Sequence, residues 1–254
     1  MSRTIAGLFA ALLVVGSVAG VAVTPAVGGP AATETTVDCS FPITVTDANG
    51  ANVTVSEEPQ RIVTLAPSAS QVVWELGARD RVVGMPVNPY TSYLNGSSEK
   101  TNVVGEEGQP QTEKIIGLDP DLVLAPHIIS EDAVEQLRET DITVYRFEQA
   151  ASIGDVVEKT RLTGQLIGEY DAAREVSART QATREAYRDA TSDGERPTVY
   201  YAMGGGYTAG PETFIGDVID AAGGENIAAA ANITEYDVIS NEIVVDEDPD
   251  WIVV

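Results

Sequence analysis

The chain has very little of what most enzymes use. Its 254 residues contain one cysteine and one histidine. A lone Cys39 excludes an intramolecular disulfide, and a lone His127 with no clustered cysteines excludes the nitrogen and sulfur ligand sets of a zinc enzyme. No Gly-x-Ser-x-Gly elbow accompanies the histidine, so a Ser/His/Asp triad has no placed nucleophile. The glycine loop at 204–206 lacks the Gly-Lys-Ser/Thr of a phosphate loop. Aromatics are sparse at 6%, although nine of them are tyrosines. Positive charge is scarcer still. Only Lys100, Lys114 and Lys159 are lysines, and the formal net charge is −24. Such a surface repels nucleic acid and anionic membranes. The acids are spread along the whole chain, which reads as the solvated surface of a halophile and not as a disordered acidic tail.

The longest apolar run is at the N-terminus. Arg3 precedes Ile5 to Val23, and small residues follow at Ala26 and Ala31-Ala32. This predicts a signal peptide over 1–26, with a retained membrane anchor as the alternative. Export would place the protein outside the cell, associated with its surface. Thr36-Val37-Asp38 ahead of Cys39 is a poor lipid-attachment box. Sequons at Asn52, Asn95 and Asn232 agree with an exported surface.

Residues 27–58 read as a linker followed by a hairpin, with Ile43–Val45 and Val53–Val55 flanking a tight turn at Asn49-Gly50. Residues 59–150 alternate strands and helices: a strand at 61–65, a helix from a capping box at Ser68–Gln71 to near Gly77, then a strand at 81–84. After a Pro/Asn/Tyr loop at 85–101 come a short helix at 112–117, a strand at 122–124, a helix at 131–140 and a strand at 143–145. Residues 152–190 contain no proline and space their apolar residues as one amphipathic helix, long enough to link two lobes. A second strand, a Gly-rich loop and a helix ending at Gly223-Gly224 fill 193–254.

One motif occurs twice. Glu113 and Glu242 each precede, by five intervening residues, an Asp-Pro-Asp and an apolar run: Asp119-Pro-Asp-Leu-Val-Leu124 and Asp248-Pro-Asp-Trp-Ile-Val253. The repeat predicts two similar α/β lobes with mainly parallel sheets, Rossmann-like, joined by the long helix and enclosing a cleft. Lobe one continues through a helix and a strand after its motif. Lobe two has no counterpart, so the expectation is that lobe two is incomplete. Each glutamate alone reads as a helix N-terminal acid. Matched on two lobes, the pair also suits a two-fold partner with a basic residue on each half.

Arg61-Ile-Val-Thr-Leu-Ala-Pro-Ser68, Asp119-Pro-Asp-Leu-Val-Leu124, the long central helix and Gly223-Gly-Glu-Asn-Ile227 together resemble the substrate-binding proteins of ABC importers for cobalamin and iron–siderophore complexes. This is the class whose lobes are joined by a rigid helix. The resemblance covers residues 59–254, and the leader and acidic surface resemble haloarchaeal members. It implies a monomeric extracytoplasmic binding protein, not an enzyme, that carries no cofactor. Cobalamin or an iron chelate would be its cargo, and a permease dimer with its ATPase its partner. It implies that Glu113 and Glu242 dock to arginines of the permease. It implies cleft contacts from Pro67 and Ser68, from Tyr90 and Tyr93, from His127, and from Tyr207 and Tyr236. Read from the residues alone, ordinary packing remains the alternative for each tyrosine and a structural role for His127. Trp74 and Trp251 lie within a helix and a strand and read as core, and no arginine cluster marks a siderophore carboxylate. The competing reading is a non-transport surface or sensor domain on the same bilobal fold.

Overall fold

The computed structural model describes residues 40–254. The expected signal peptide, Cys39 and most of the leader linker lie outside the described residues.

A hairpin comes first, from β1 (Ile43–Thr46) and β2 (Asn52–Val55), paired antiparallel. Its turn is built around Asp47, whose carboxylate accepts the amides of Asn49 and Ala51, while Gly50 takes the left-handed conformation. The chain then lays down β3 (Ile62–Thr64), α1 (Pro67–Glu75), β4 (Val82–Met85), β5 (Thr101–Asn102), α2 (Thr112–Gly117), β6 (Leu122–Ala125), α3 (Glu131–Arg138) and β7 (Val144–Arg146). These five strands form one parallel sheet in the order β5-β4-β3-β6-β7. Its central strands are apolar on both faces because both faces are covered. Ile62, Leu122 and Leu124 pack toward α1 and the hairpin, and Val63, Val123 and Val144 pack with Ile115 of α2 and Val134 and Leu137 of α3.

The first helix does not start at a Ser68 capping box. Its N-cap is Ala66 and Pro67 is the first helical residue, where a missing N–H costs nothing. The third residue of the expected box, Ser70, is fully buried and bonds Thr64 Oγ1 at 2.7 Å, so packing against β3 claims it.

The expected single helix over 152–190 is two helices, α4 (Ile153–Ile167) and α5 (Tyr170–Thr191). Gly168, at φ +77°, ends α4 in the left-handed conformation, and Glu169 N closes back on Gly164 O at 2.8 Å. The helices then pack on each other. A Cβ on Gly164 would stand 2.2 Å from Ala173 Cβ, so glycine is what lets α5 come this close. Helix α4 belongs to lobe one, where Leu166 and Ile167 are buried with Ile62 and Leu122. The long helix of the fold is α5, 22 residues and about 33 Å. Ala173 joins the core of lobe one, while Arg184 and Arg188, further along, pair with acids of lobe two.

Lobe two contains β8 (Thr198–Tyr201), β9 (Tyr207–Ala209), α6 (Phe214–Ala221), β10 (Glu225–Asn226), β11 (Tyr236–Val238), α7 (Asn241–Glu247) and β12 (Trp251–Val253). Strands β10-β8-β12 form a parallel sheet, and β9 and β11 an antiparallel ribbon. The order β10-β8-β12 repeats β4-β3-β6 of lobe one. Trp251 is 48% exposed here, and among the described residues β12 pairs with β8 alone. Trp74 is half-buried, with its Nε1 donating to Asn95 O at 3.0 Å and Lys100 lying over its ring.

Candidate functional site

The strands of lobe one are parallel, so their C-terminal ends share one edge. Strand β3 leads through α1 to β4 on one side, and β6 leads through α3 to β7 on the other. The crevice between the ends of β3 and β6 is therefore the topological switch point, where open α/β sheets bind ligands. The structure places Pro67 and Ser68 just after β3 and His127 two residues after β6. Ser68 is exposed on the first turn of α1.

The loop after β4 carries Tyr90 and Tyr93, 75% and 61% exposed. It is held from beneath. Thr91 is fully buried and its hydroxyl donates to Pro86 O at 2.8 Å, while Asn88 Oδ1 accepts the Tyr90 amide at 2.9 Å. Partial desolvation of the phenol and the nearby Glu75 raise the Tyr93 pKa above its ordinary value, so it stays neutral. The backbone at His127 is held by Arg146, whose guanidinium donates to His127 O at 2.9 Å, Ile129 O at 3.0 Å and Asn49 Oδ1 at 2.7 Å. Burial lowers the imidazole pKa. The positive charges of Lys159 and Arg146 lower it further, outweighing Glu148, so the ring is neutral near pH 7. Sequence reasoning missed Arg146, because no local pattern marks a side chain that supports a loop 17 residues away.

In lobe two, Gly204, Gly205 and Gly206 all have positive φ. They turn the chain tightly between β8 and β9, so Tyr207 N bonds Gly204 O at 3.1 Å. The register pairs Tyr207 with Val238 and Tyr236 with Ala209. Tyr207 and Tyr236 are thus diagonal neighbours on the same face of the ribbon, and both are exposed. Thr208 points the other way, is buried, and donates to Tyr201 O. Pro67, Ser68, His127 and the Tyr90/Tyr93 loop thus all follow C-terminal strand ends on one edge of the lobe-one sheet, while Tyr207 and Tyr236 share one face of the lobe-two ribbon. Among the described residues no hydrogen bond or ring contact joins one group to the other. A groove of about 1050 Å3 runs along α4 and α5, lined by Tyr145, Phe147, Lys159 and Arg174 among others, and none of the seven residues lines it. Among the described residues no group of three or more His, Cys, Asp or Glu could hold a metal ion.

The repeated motif is the same structure twice. Glu113 is the second residue of α2 and Glu242 the second of α7, and both are exposed. Each helix is followed by an aspartate in the left-handed region, Asp119 at φ 45° and Asp248 at φ 42°. After the proline, the second aspartate clasps the start of the neighbouring strand. Asp121 Oδ2 accepts the amides of Gln60 and Arg61 at 2.7 and 2.8 Å. Asp250 Oδ2 accepts the amide and hydroxyl of Thr198 at 2.9 and 3.1 Å. The two aspartates are consumed by structure, whereas the two glutamates are exposed.

Two parallel α/β sheets, a long helix between them and exposed aromatics at the strand ends define a bilobal binding protein. Residues 62–254 match the family described as periplasmic binding protein, and the chain belongs to that family. It is 48% identical over 219 residues to a cobalamin-binding protein of Halobacterium salinarum, covering 85% of this chain and 59% of that protein. It is 32% identical over 223 residues to YvrC, an ABC transporter substrate-binding lipoprotein of Bacillus subtilis, covering 84% of this chain and 69% of that protein. The periplasmic heme-binding protein RhuT from Roseiflexus sp. RS-1 has the same fold, with a TM-score of 0.68 at 26% identity, covering 76% of this chain and 75% of that one. The chain thus spans about three fifths of the length of the haloarchaeal relative.

Proposed function

We propose that this chain is the solute-binding component of an ABC-type importer, with cobalamin as the first candidate cargo and an iron–siderophore chelate as the second. The observation that carries the reading is the pair of exposed glutamates, each the second residue of the equivalent helix in its lobe. Matched acids on two lobes suit arginines on a two-fold permease dimer that works with its ATPase. The chemistry of the strand ends supports the cargo class. Tyrosines offer broad apolar faces with polar tips, as a corrin or porphyrin ring requires, and His127 adds a neutral imidazole. The 48% identity to a cobalamin-binding protein favours the corrinoid. On this reading Pro67, Ser68, Tyr90, Tyr93, His127, Tyr207 and Tyr236 contact the ligand. The chain acts as a monomer, is exported by its leader, and works at the outer face of a halophilic archaeal cell.

The test is calorimetric titration in molar salt with cyanocobalamin, hemin and a ferric siderophore. Saturable binding of cyanocobalamin in preference to the others is expected. Binding of none of the three by the full-length protein would overturn the reading.

A further inference from the structure

One carboxylate of lobe two, Asp217, bonds both α4 and α5. Asp217 lies in the first turn of α6, which is locked into lobe two: Thr213 caps the helix, and a Cβ on Gly216 would stand 2.4 Å from Gly210 O. Asp217 reaches out of that lobe in two directions. Its Oδ2 accepts the amide of Ile153, the first residue of α4 in lobe one, at 2.7 Å. Its Oδ1 accepts the guanidinium of Arg184, on the connecting helix α5, at 2.7 Å. The carboxylate also sits where the N-terminal dipole of α4 favours negative charge.

Burial decides which interlobe contact matters. The Asp217 and Arg184 side chains are only 17% and 28% exposed. The ion pair by which α5 reaches α1 of lobe one, Arg179 with Glu75, is 3.3 Å long and exposed on both sides, and such pairs contribute little. Among the described residues Arg184 Nε is buried without a hydrogen-bond partner, and Asp217 is the one acceptor that guanidinium has. No comparable side chain bonds both α4 and α5 from lobe two among the described residues. We propose that Asp217 is a positioning residue: it pins α6 to the start of α4 and to α5, and so sets the angle between the lobes and the spacing of Glu113 and Glu242. The importance of that spacing rests on the function proposed above, whereas the latch itself does not.

The experiment measures the angle without ligand or permease, so a failure of the functional reading leaves its outcome intact. In the full chain with Cys39→Ser, spin labels at Glu113→Cys and Glu242→Cys report the interlobe distance by double electron–electron resonance. Labels at Glu57→Cys and Glu113→Cys report lobe one alone. Asp217→Ala is expected to broaden and shift the interlobe distribution while the within-lobe distribution stays as in the parent. Arg184→Ala, which leaves the Ile153 bond in place, is expected to give a smaller change. Asp217→Glu, which keeps the charge, should restore most of the parent distribution. An Asp217→Ala interlobe distribution superimposable on the parent's would overturn the proposal. If Asp217→Ala disturbs lobe one as well, Arg184→Ala decides: an unchanged interlobe distribution there would also overturn it.

Discussion

Removing the Asp47 carboxylate tests how the N-terminal hairpin is held to lobe one. The Asp47 side chain is fully buried and carries three partners: the Asn49 and Ala51 amides and the guanidinium of Arg138 on α3. Arg138 is only 18% exposed. Besides Asp47 it keeps Val144 O at 2.9 Å and the solvated Glu135. Breaking a buried ion pair from one side costs about 3–5 kcal/mol, because the remaining charge stays buried. Glu135 and Val144 O still serve Arg138, so Asp47→Ala should fall at the lower end, about 3 kcal/mol. Asp47→Asn can still accept an amide and should cost about 1–2 kcal/mol. Burial alone would raise the Asp47 pKa. The Arg138 hydrogen bond, the two amides and the Arg138 charge outweigh it and hold the carboxyl below its ordinary value. The folded pKa is depressed, so the stabilisation is fully present above the unfolded carboxylate pKa of about 3.9 and is lost as pH falls through the folded value. Urea unfolding in molar potassium chloride, at neutral pH and at steps down into the acid range, measures both effects. A midpoint for Asp47→Ala equal to the parent's, or an acid limb that Asp47→Asn leaves unchanged, would refute the reasoning.

Other perturbations have equally specific outcomes. Gly164→Ala places a methyl group 2.2 Å from Ala173 Cβ, and overpacking of this kind should lower stability by about 1–3 kcal/mol in thermal melts. With a formal net charge of −24, the fold should gain stability from low to molar salt, and a flat salt dependence would remove the halophilic reading. Asp121→Ala and Asp250→Ala remove matching clasps and should each cost about 1 kcal/mol. Charge reversal at both Glu113 and Glu242 should abolish uptake while leaving ligand affinity unchanged. An equal loss of affinity would place those residues in the cleft instead. Tyr207→Ala should weaken cyanocobalamin binding several-fold in titrations, with the melting temperature unchanged because the ring is exposed.

The parts of the fold that were legible in the sequence rest on local chemistry. The β–α alternation of lobe one, the hairpin and the matched Glu-x5-Asp-Pro-Asp units follow from apolar period, turn residues and repetition, and all stand where those signals put them. The reading of 152–190 as one helix went wrong at a single residue. Gly168 lies in a helical pattern without a proline, and only the packing of Ala173 against Gly164 shows that the chain folds back there. The Ser68 capping box failed for a similar reason: Ser70 is taken by Thr64 in the core, leaving Pro67 to open the helix.

By itself, the sequence determined the fold class: a duplicated α/β unit with an acidic surface. These features depend on residue identity and spacing along the chain, and survive any arrangement in space. Only the tertiary structure decided how the parts work together. It spent Asp121 and Asp250 on strand clasps and left Glu113 and Glu242 exposed. It put Tyr207 and Tyr236 on one face of a ribbon through strand register, and it gave Arg146 the task of holding the His127 loop. It also brought Asp217, Ile153 and Arg184 together from three helices. Those partners lie 33 and 64 residues from Asp217, a separation at which no sequence pattern reports contact.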